Sequence, residues 1–86
     1  MKIKKVKLYS TTSCPYCRME KEWLDGNKIE HEVIYVDQNR EEAINMVRLT
    51  GQMGVPVTHI EFDGTNPEFV VGFDVPRLSK ILEVKN

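Results

Sequence analysis

The chain lacks a third cysteine. Its 86 residues contain only Cys14 and Cys17, three positions apart, so a framework of several disulfides is excluded. A structural zinc site takes four ligands. The two thiols would need His31 and His59 to complete one, because the sequence has no second closely spaced cysteine pair. We interpret both histidines as strand residues instead, and we expect no metal site.

An excess of charge of one sign is also missing. Twelve Lys and Arg residues stand against thirteen Asp and Glu residues, a net charge of −1, whereas a general nucleic-acid binder carries a basic excess. We interpret the basic start formed by Lys2, Lys4, Lys5 and Lys7 as a solvated strand edge. No apolar run approaches membrane-spanning length, and none resembles the core of a signal peptide. We therefore expect no nucleic-acid or membrane partner and a cytoplasmic location, where paired cysteines are more often catalytic or metal-binding than permanently bridged.

No repeat, low-complexity stretch or linker divides the chain, so we expect one domain over residues 1–86. Apolar runs and turn signals predict strands at residues 4–9, 32–36, 57–62 and 69–73, and helices at 15–24, from 37–40 to Gly51, and from about Val75. A helix separates the first two strands, so they should be parallel, with a right-handed crossover. The sequence predicts an α/β fold of order βαβ-α-ββ-α, with a four-stranded mixed sheet and helices on both faces.

Helical spacing also suggests which residues share a helix face. They are Tyr16, Met19 and Trp23 in the first helix, Ala43, Met46, Val47 and Thr50 in the second, and Leu78, Ile81 and Leu82, facing inward, in the third. Asp25-Gly26-Asn27 predicts a glycine cap at the end of the first helix.

Cys14-Pro15-Tyr16-Cys17 stands where a strand gives way to a helix, a position typical of a dithiol redox centre rather than a structural disulfide. Pro15 fits the first helical turn, where its missing N–H costs nothing, and it helps to set the reduction potential. Cys14 is then expected at the N-cap, where unpaired N–H groups and the helix dipole favour a thiolate, and Arg18 adds positive charge one turn on. Cys14 is thus the expected attacking thiol, Cys17 resolves the mixed disulfide, and Tyr16 is exposed to the substrate.

The third strand begins at a proline, which need not donate a hydrogen bond there. Val55-Pro56 is a candidate for a cis bond, and an ordinary turn proline is the alternative. A cis bond would turn the backbone of Val55 outward, where it could pair with an extended peptide-like substrate as an added strand does.

Taken together, these residues resemble the glutaredoxin family and its relatives, the NrdH-type redoxins. The resemblance covers essentially the whole chain and rests on Cys14-Pro15-Tyr16-Cys17, on Val55-Pro56 and on Gly72-Phe73-Asp74. It implies a thioredoxin fold, a cis Val55-Pro56 bond, and thiol–disulfide exchange with Cys14 as nucleophile. It also implies a monomer with no tightly bound cofactor, which takes glutathione as co-substrate and reduces protein disulfides.

The resemblance further implies a groove for glutathione or a protein disulfide. Its expected lining is Thr11, Tyr16, Gln52, Val55, Pro56, Gly72, Phe73 and Asp74. By this likeness Asp74 meets the amino group of the γ-glutamyl end, and helix N-capping is an alternative role that is compatible with it.

Two departures from the family pattern concern basic groups. Glutaredoxins usually carry a lysine three residues before the first cysteine, where this chain has Thr11, and often an Arg-Thr pair before Val-Pro, where it has Met53-Gly54. Both cations normally help to hold a carboxylate of glutathione, and a charge-assisted hydrogen bond contributes roughly 1.5–3 kcal/mol. Their loss should weaken glutathione binding, with partial compensation by Thr11, Gln52 or Arg48.

Three functional hypotheses follow. The first is a disulfide reductase of glutaredoxin type that acts on protein disulfides or glutathione mixed disulfides through Cys14 and Cys17. The second keeps the chemistry but takes electrons from thioredoxin reductase or another dedicated reductase, with ribonucleotide reductase as a client. Gly72-Phe73 echoes the NrdH-type pattern, although its Arg-Pro-Asp extension is replaced by Asp74-Val75-Pro76. The third is a non-enzymatic metal or iron–sulfur carrier, which the proline after Cys14 disfavours.

Overall fold

The computed structural model describes residues 3–84, and Lys2 of the basic start lies outside them. The strands are β1 (Ile3–Ser10), β2 (Glu32–Tyr35), β3 (Val57–Phe62) and β4 (Glu68–Val71), and the helices are α1 (Pro15–Gly26), α2 (Arg40–Thr50) and α3 (Val75–Ile81). Their order along the chain is the predicted βαβ-α-ββ-α. None of the helices in this described part has the length and apolar character needed to cross a membrane.

The sheet has the strand order β2-β1-β3-β4. β1 runs parallel to β2 and antiparallel to β3, and β4 returns antiparallel beside β3. The predicted mixed sheet is therefore confirmed. β4 ends at Val71, two residues earlier than expected, because Gly72 turns out of the strand with a φ of 85°.

Helices cover both faces of this sheet. On one face, Leu24 of α1 and Leu78 of α3 are buried against sheet residues that include Leu8 and Ile60. The opposite face buries Met46 of α2 in a smaller cluster, whose other members are Tyr9, Ile34 and Val57, with Val36 and Val55 packed against it. The two clusters fix the end of β1 between α1 and α2, and the chain leaves β1 there for the cysteine pair.

Local details differ from the sequence prediction in α1. The buried side chains of this helix are Cys17, Glu20 and Leu24, whereas Met19 is exposed, and Tyr16 is exposed as the sequence predicted. The buried face of α1 therefore includes the carboxylate of Glu20, and the apolar side chain of Met19 lies outside that face. The predicted glycine cap is also wrong, because Asn27 caps the helix and the left-handed residue is Lys28, with a φ of 58°.

The other two helices largely follow the prediction. Gly51 ends α2 in the left-handed conformation with a φ of 71°, where a glycine is favoured. Val47 of α2 remains exposed although it was expected to share the face of Met46.

The two histidines differ in their location. His59 lies in β3 as expected, but His31 precedes β2 and is not a strand residue.

Candidate active site

Cys14 occupies the N-cap of α1. Its backbone is extended, with φ −101° and ψ 109°, and its sulfur accepts the backbone N–H of Cys17 at 3.2 Å. Pro15 follows in the first turn and has no N–H to satisfy. The sulfur therefore replaces the oxygen of an ordinary capping side chain and faces the positive end of the helix dipole. This is the position predicted from the sequence.

Cys17 lies on the inner side of the same turn and is 1% exposed, whereas Cys14 is only half-buried. Both thiols are free. Burial, assisted by the hydrogen bond with Cys14, raises the pKa of Cys17 to about 11, although hydrogen bonds from Ser10 and the Thr11 backbone oppose this effect. Because the thiolate is the nucleophile in disulfide exchange, Cys17 is poorly suited to the first attack.

A cleft of about 240 Å³ opens beside the two sulfurs. Arg18 and Lys21 of α1 belong to its lining, with the Lys21 ammonium paired to Asp25 at 2.8 Å, and Thr11 and Tyr35 contribute from the ends of β1 and β2. The backbone N–H of Arg18 also closes the first turn of α1 by donating to the carbonyl of Cys14 at 3.2 Å. Arg18 also lines the cleft that contains the sulfurs, and its predicted effect on the Cys14 thiolate stays a prediction.

The loop before Cys14 is tied to the start of α2. The carboxylate of Asp37 accepts the backbone N–H of Thr12 at 3.1 Å and its hydroxyl at 2.6 Å. These hydrogen bonds lower the pKa of Asp37, the hydroxyl contributing most. Thr12 and Asp37 were not predicted as site residues, and together they position the chain that leads into the reactive turn.

Replacing Asp37 tests this tie. A depressed folded-state pKa contributes stability above the unfolded value of about 3.9 and loses it as the pH falls through the folded pKa. We expect Asp37→Asn to lower the free energy of unfolding at pH 7, and the difference from the wild type to shrink in acid. Urea unfolding from pH 7 down to pH 3 measures both. Asp63→Asn, in the exposed β3–β4 turn, is the matched control, and an equal loss in the two variants would contradict the role given to Asp37.

The Val55-Pro56 peptide bond is cis, as the family resemblance implied. The carbonyl of Pro56 accepts the N–H of Gly72 at 2.8 Å, which joins the start of β3 to the end of β4. Neither backbone group of Val55 takes part in the loop hydrogen bonds of residues 3–84. This leaves an unpaired N–H and C=O beside the segment that leads to α3.

That segment is held by packing and by a cap. Phe73 meets Trp23 edge-on, with ring centroids 6.5 Å apart and an interplanar angle of 69°. Asp74 caps α3, its carboxylate accepting the N–H of Arg77 at 3.2 Å. The capping role weighed for Asp74 is therefore present in the structure.

The remaining expected binding residues are spread around the site. Tyr16 is 63% exposed on the outer side of the reactive turn. Gln52 is exposed beyond the end of α2, and its N–H donates to the hydroxyl of Thr50 at 3.1 Å. Thr11 lines both the cleft with the sulfurs and a second groove along α2. The structure thus places Thr11 and Arg18 in the lining of the cleft with the sulfurs, whereas Gln52 does not line it.

A buried carboxylate, unanticipated from the sequence, lies one turn beyond Cys17. Glu20 is fully buried and accepts the hydroxyl of Thr58 in β3 through Oε2, while its Oε1 has no hydrogen-bond partner among the described residues. Burial raises the pKa of Glu20 to about 7 despite this hydrogen bond. The spacing of Cys17, Glu20 and Leu24, which places the three residues on one helix face, is the sequence feature that could have predicted its burial.

Within residues 3–84, the structure contains no group of three or more His, Cys, Asp or Glu side chains arranged to hold a metal ion.

Comparisons with known proteins agree with this geometry. The family model described as Glutaredoxin matches residues 6–64. An uncharacterized glutaredoxin-like 8.6 kDa protein in the rubredoxin operon of Clostridium pasteurianum is 36% identical over 78 residues, which cover 91% of this chain and 97% of that protein.

Solved structures show the same fold. A glutaredoxin from Archaeoglobus fulgidus superposes with a TM-score of 0.77 at 23% identity, covering 91% of this chain and 85% of that one. The glutaredoxin-like NrdH-redoxin from Escherichia coli superposes with a TM-score of 0.72 at 23% identity, covering 91% and 95%. These likenesses confirm the thioredoxin fold, and the matched family model, together with the 36% identical relative, shows that the chain belongs to the glutaredoxin family.

Proposed function

We propose that the protein is a dithiol thiol–disulfide oxidoreductase in which Cys14 attacks and Cys17 resolves. The main support for this proposal is the difference in accessibility between the two thiols. Cys14 is accessible at a helix N-cap, whereas Cys17 is buried and donates its backbone N–H to the sulfur of Cys14 at 3.2 Å. Family membership supports thiol redox chemistry in general, and the geometry supports this division of roles.

In this reaction electrons pass only between the protein dithiol and the substrate disulfide. The Cys14 thiolate attacks one sulfur of a substrate disulfide, forms a mixed disulfide and releases the other sulfur as a thiolate, which takes up a proton. Cys17 then loses its proton and attacks the sulfur of Cys14, which releases the second substrate thiol. The substrate gains two electrons and two protons, and the protein is left with a Cys14–Cys17 disulfide.

A single-turnover experiment tests this function. Fully reduced protein, freed of reductant, is mixed with bis(2-hydroxyethyl) disulfide. We expect one disulfide reduced for each protein molecule and a protein lighter by two hydrogens, with a Cys14–Cys17 bridge located by peptide mass spectrometry. If substrate thiol is released without that bridge, or no exchange occurs, the proposed function is wrong.

Glutathione is the electron donor that the first hypothesis implies, and one observation favours a dedicated reductase instead. Thr11 and Met53, which stand where the family usually has cations, line the same groove. At these two positions a carboxylate of glutathione would meet a hydroxyl and a thioether instead of cations, although Arg40 and Arg48 line other parts of the groove. This arrangement supports the second candidate function, a redoxin recycled by thioredoxin reductase or a similar enzyme.

Restoring one cation distinguishes the two donors. If glutathione is held weakly for want of charge, Thr11→Lys should lower the KM for glutathione roughly fivefold or more, since a charge-assisted hydrogen bond is worth roughly 1.5–3 kcal/mol. Ser13→Lys, which adds the same charge at an exposed neighbouring position, controls for general electrostatics.

The two electron donors are also compared directly on the wild type. Oxidised wild type is incubated separately with glutathione and with thioredoxin reductase plus NADPH. Efficient turnover of the wild type by glutathione alone would rule out the dedicated-reductase candidate.

A further inference from the structure

One face of α2 is apolar but open to solvent. Ile44 and Val47 are 49% and 38% exposed, and Met53, just beyond the helix, is 82% exposed. Together with Val36 they line a groove of about 590 Å³, which we call the α2 groove. These apolar side chains line one groove and are therefore grouped rather than scattered singly over the surface.

Two arginines mark the ends of the α2 groove. Arg40 begins the helix and Arg48 lies in its last turn, so their backbones are about 12 Å apart along the axis. Neither arginine forms an ion pair with a carboxylate of the residues that the structure describes. The acidic residue on the rim, Asp37, already accepts two hydrogen bonds from Thr12. Asp37 remains a charged carboxylate, so the lining carries two cations and one anion, a net positive charge beside an apolar strip.

The position of Arg40 strengthens this argument. A cation at the first position of a helix is opposed by the helix dipole, which favours carboxylates there. Glu41 and Glu42 share this turn, but neither forms an ion pair with Arg40 among the described residues, so Arg40 can accept a carboxylate from outside the chain. Arg48, in the last turn, suits the dipole, and within residues 3–84 its guanidinium forms no ion pair.

The α2 groove is continuous with the reactive site. Thr11 lines both the groove and the cleft that contains Cys14 and Cys17. A chain that occupies the groove can therefore lead directly to a disulfide under attack by Cys14. Glutathione brings no apolar side chain to this strip, whereas a protein segment does.

We propose that the α2 groove binds an extended segment of a client protein, in which apolar side chains lie between two carboxylates about four residues apart. The spacing follows from the arginines, because an extended chain rises about 3.3 Å per residue and so spans about 13 Å in four steps, close to the separation of the two arginine backbones. This inference rests on the proposed function and adds the class of client to it. Ion pairs with Arg40 and Arg48 would set the register, and the apolar strip would favour protein over glutathione.

Synthetic disulfides test the proposal on the wild-type protein. Each peptide carries one cysteine in a disulfide with 2-mercaptoethanol, separated by two glycines from the segment Glu-Leu-Val-Leu-Glu, placed before or after it. Comparator peptides replace both Glu by Lys, or the three apolar residues by Ser. We expect pre-reduced protein to attack the Glu-Leu-Val-Leu-Glu peptide roughly fivefold to tenfold faster than either comparator, as two exposed ion pairs and a few buried methylenes allow.

Matched variants locate the effect. Arg40→Gln with Arg48→Gln should remove the preference for Glu over Lys peptides, and Ile44→Ser should remove the preference for apolar segments. Leu49→Ser is the control, because Leu49 is 48% exposed on the same helix but does not line the groove. Its preferences should match those of the wild type, and urea unfolding checks that every variant is folded.

The outcomes separate this proposal from the proposed function. If bis(2-hydroxyethyl) disulfide is not reduced, the exchange chemistry itself is wrong. If it is reduced but the wild type attacks all three peptides at one rate, the client segment is wrong and the chemistry stands. Sedimentation that shows a dimer, dissociated by Ile44→Ser and not by Leu49→Ser, would assign the groove to a second copy of this chain and also overturn the proposal.

Discussion

Cys14→Ser should abolish disulfide exchange, lowering the rate of the first step by roughly 10³-fold or more, because a hydroxyl cannot replace the thiolate nucleophile. The remaining thiol, Cys17, is buried and its pKa is raised to about 11, so it cannot substitute at neutral pH. The measurement is the second-order rate constant with bis(2-hydroxyethyl) disulfide under single-turnover conditions. Full activity in this variant would refute the assignment of roles.

Cys17→Ser is the matched variant, because it makes the same replacement of a thiol by a hydroxyl three residues further along the chain. It should keep the first step and lose the second, so that a mixed disulfide on Cys14 accumulates. Activity on glutathione mixed disulfides, which needs only the first thiol, should persist. A variant that still forms no adduct on Cys14 would show that the buried thiol is needed for the attack.

Glu20→Gln should stabilise the protein above pH 7. The folded-state pKa of Glu20 is about 7, above its ordinary value of 4.5, because burial disfavours the carboxylate. The folded state therefore holds this proton more tightly than the unfolded state does. Its contribution to stability is complete below the unfolded pKa and is lost as the pH rises through the folded one.

The size of this effect follows from the same two values. A shift from 4.5 to about 7 corresponds to roughly 3 kcal/mol lost between acid and neutral pH. A glutamine keeps an oxygen for the Thr58 hydroxyl but buries an amide N–H₂, so we expect a net gain of about 1–3 kcal/mol above pH 7. Urea unfolding at pH 5 and pH 8 measures it.

Glu22→Gln is the control, since Glu22 is exposed on the same helix. Its unfolding free energy should follow the wild type at both pH values. The account of Glu20 would be wrong if Glu20→Gln lost stability between pH 5 and pH 8 as much as the wild type does, because a neutral amide has no proton to release.

Sequence rules that act over a few residues predicted much of this molecule. Pro15 at a helix start and Gly51 at a helix end fixed two helix boundaries correctly, because each residue has a backbone preference of its own. Gly26 misled for the same reason. A glycine permits a left-handed cap but does not require one, and Lys28 takes that conformation instead.

What the sequence could not predict depends on contacts between distant residues. The Thr12–Asp37 tie joins residues 25 positions apart, and the Glu20–Thr58 pair joins residues 38 positions apart. Glutamate is usually a surface residue, so the sequence alone predicts an exposed Glu20. Only the position of Thr58 in β3 shows why this carboxylate is buried on the inner face of α1.

The separation of roles between the two sulfurs is tested most directly by alkylation of the reduced wild type. Limiting iodoacetamide is added at a series of pH values, and fragmentation of the labelled peptide locates the adduct. We predict that at pH 7 the label is found on Cys14 and that Cys17 is modified only as the pH approaches about 11, where its buried thiol ionises. Labelling of Cys17 at pH 7 as fast as Cys14, or faster, would contradict the account.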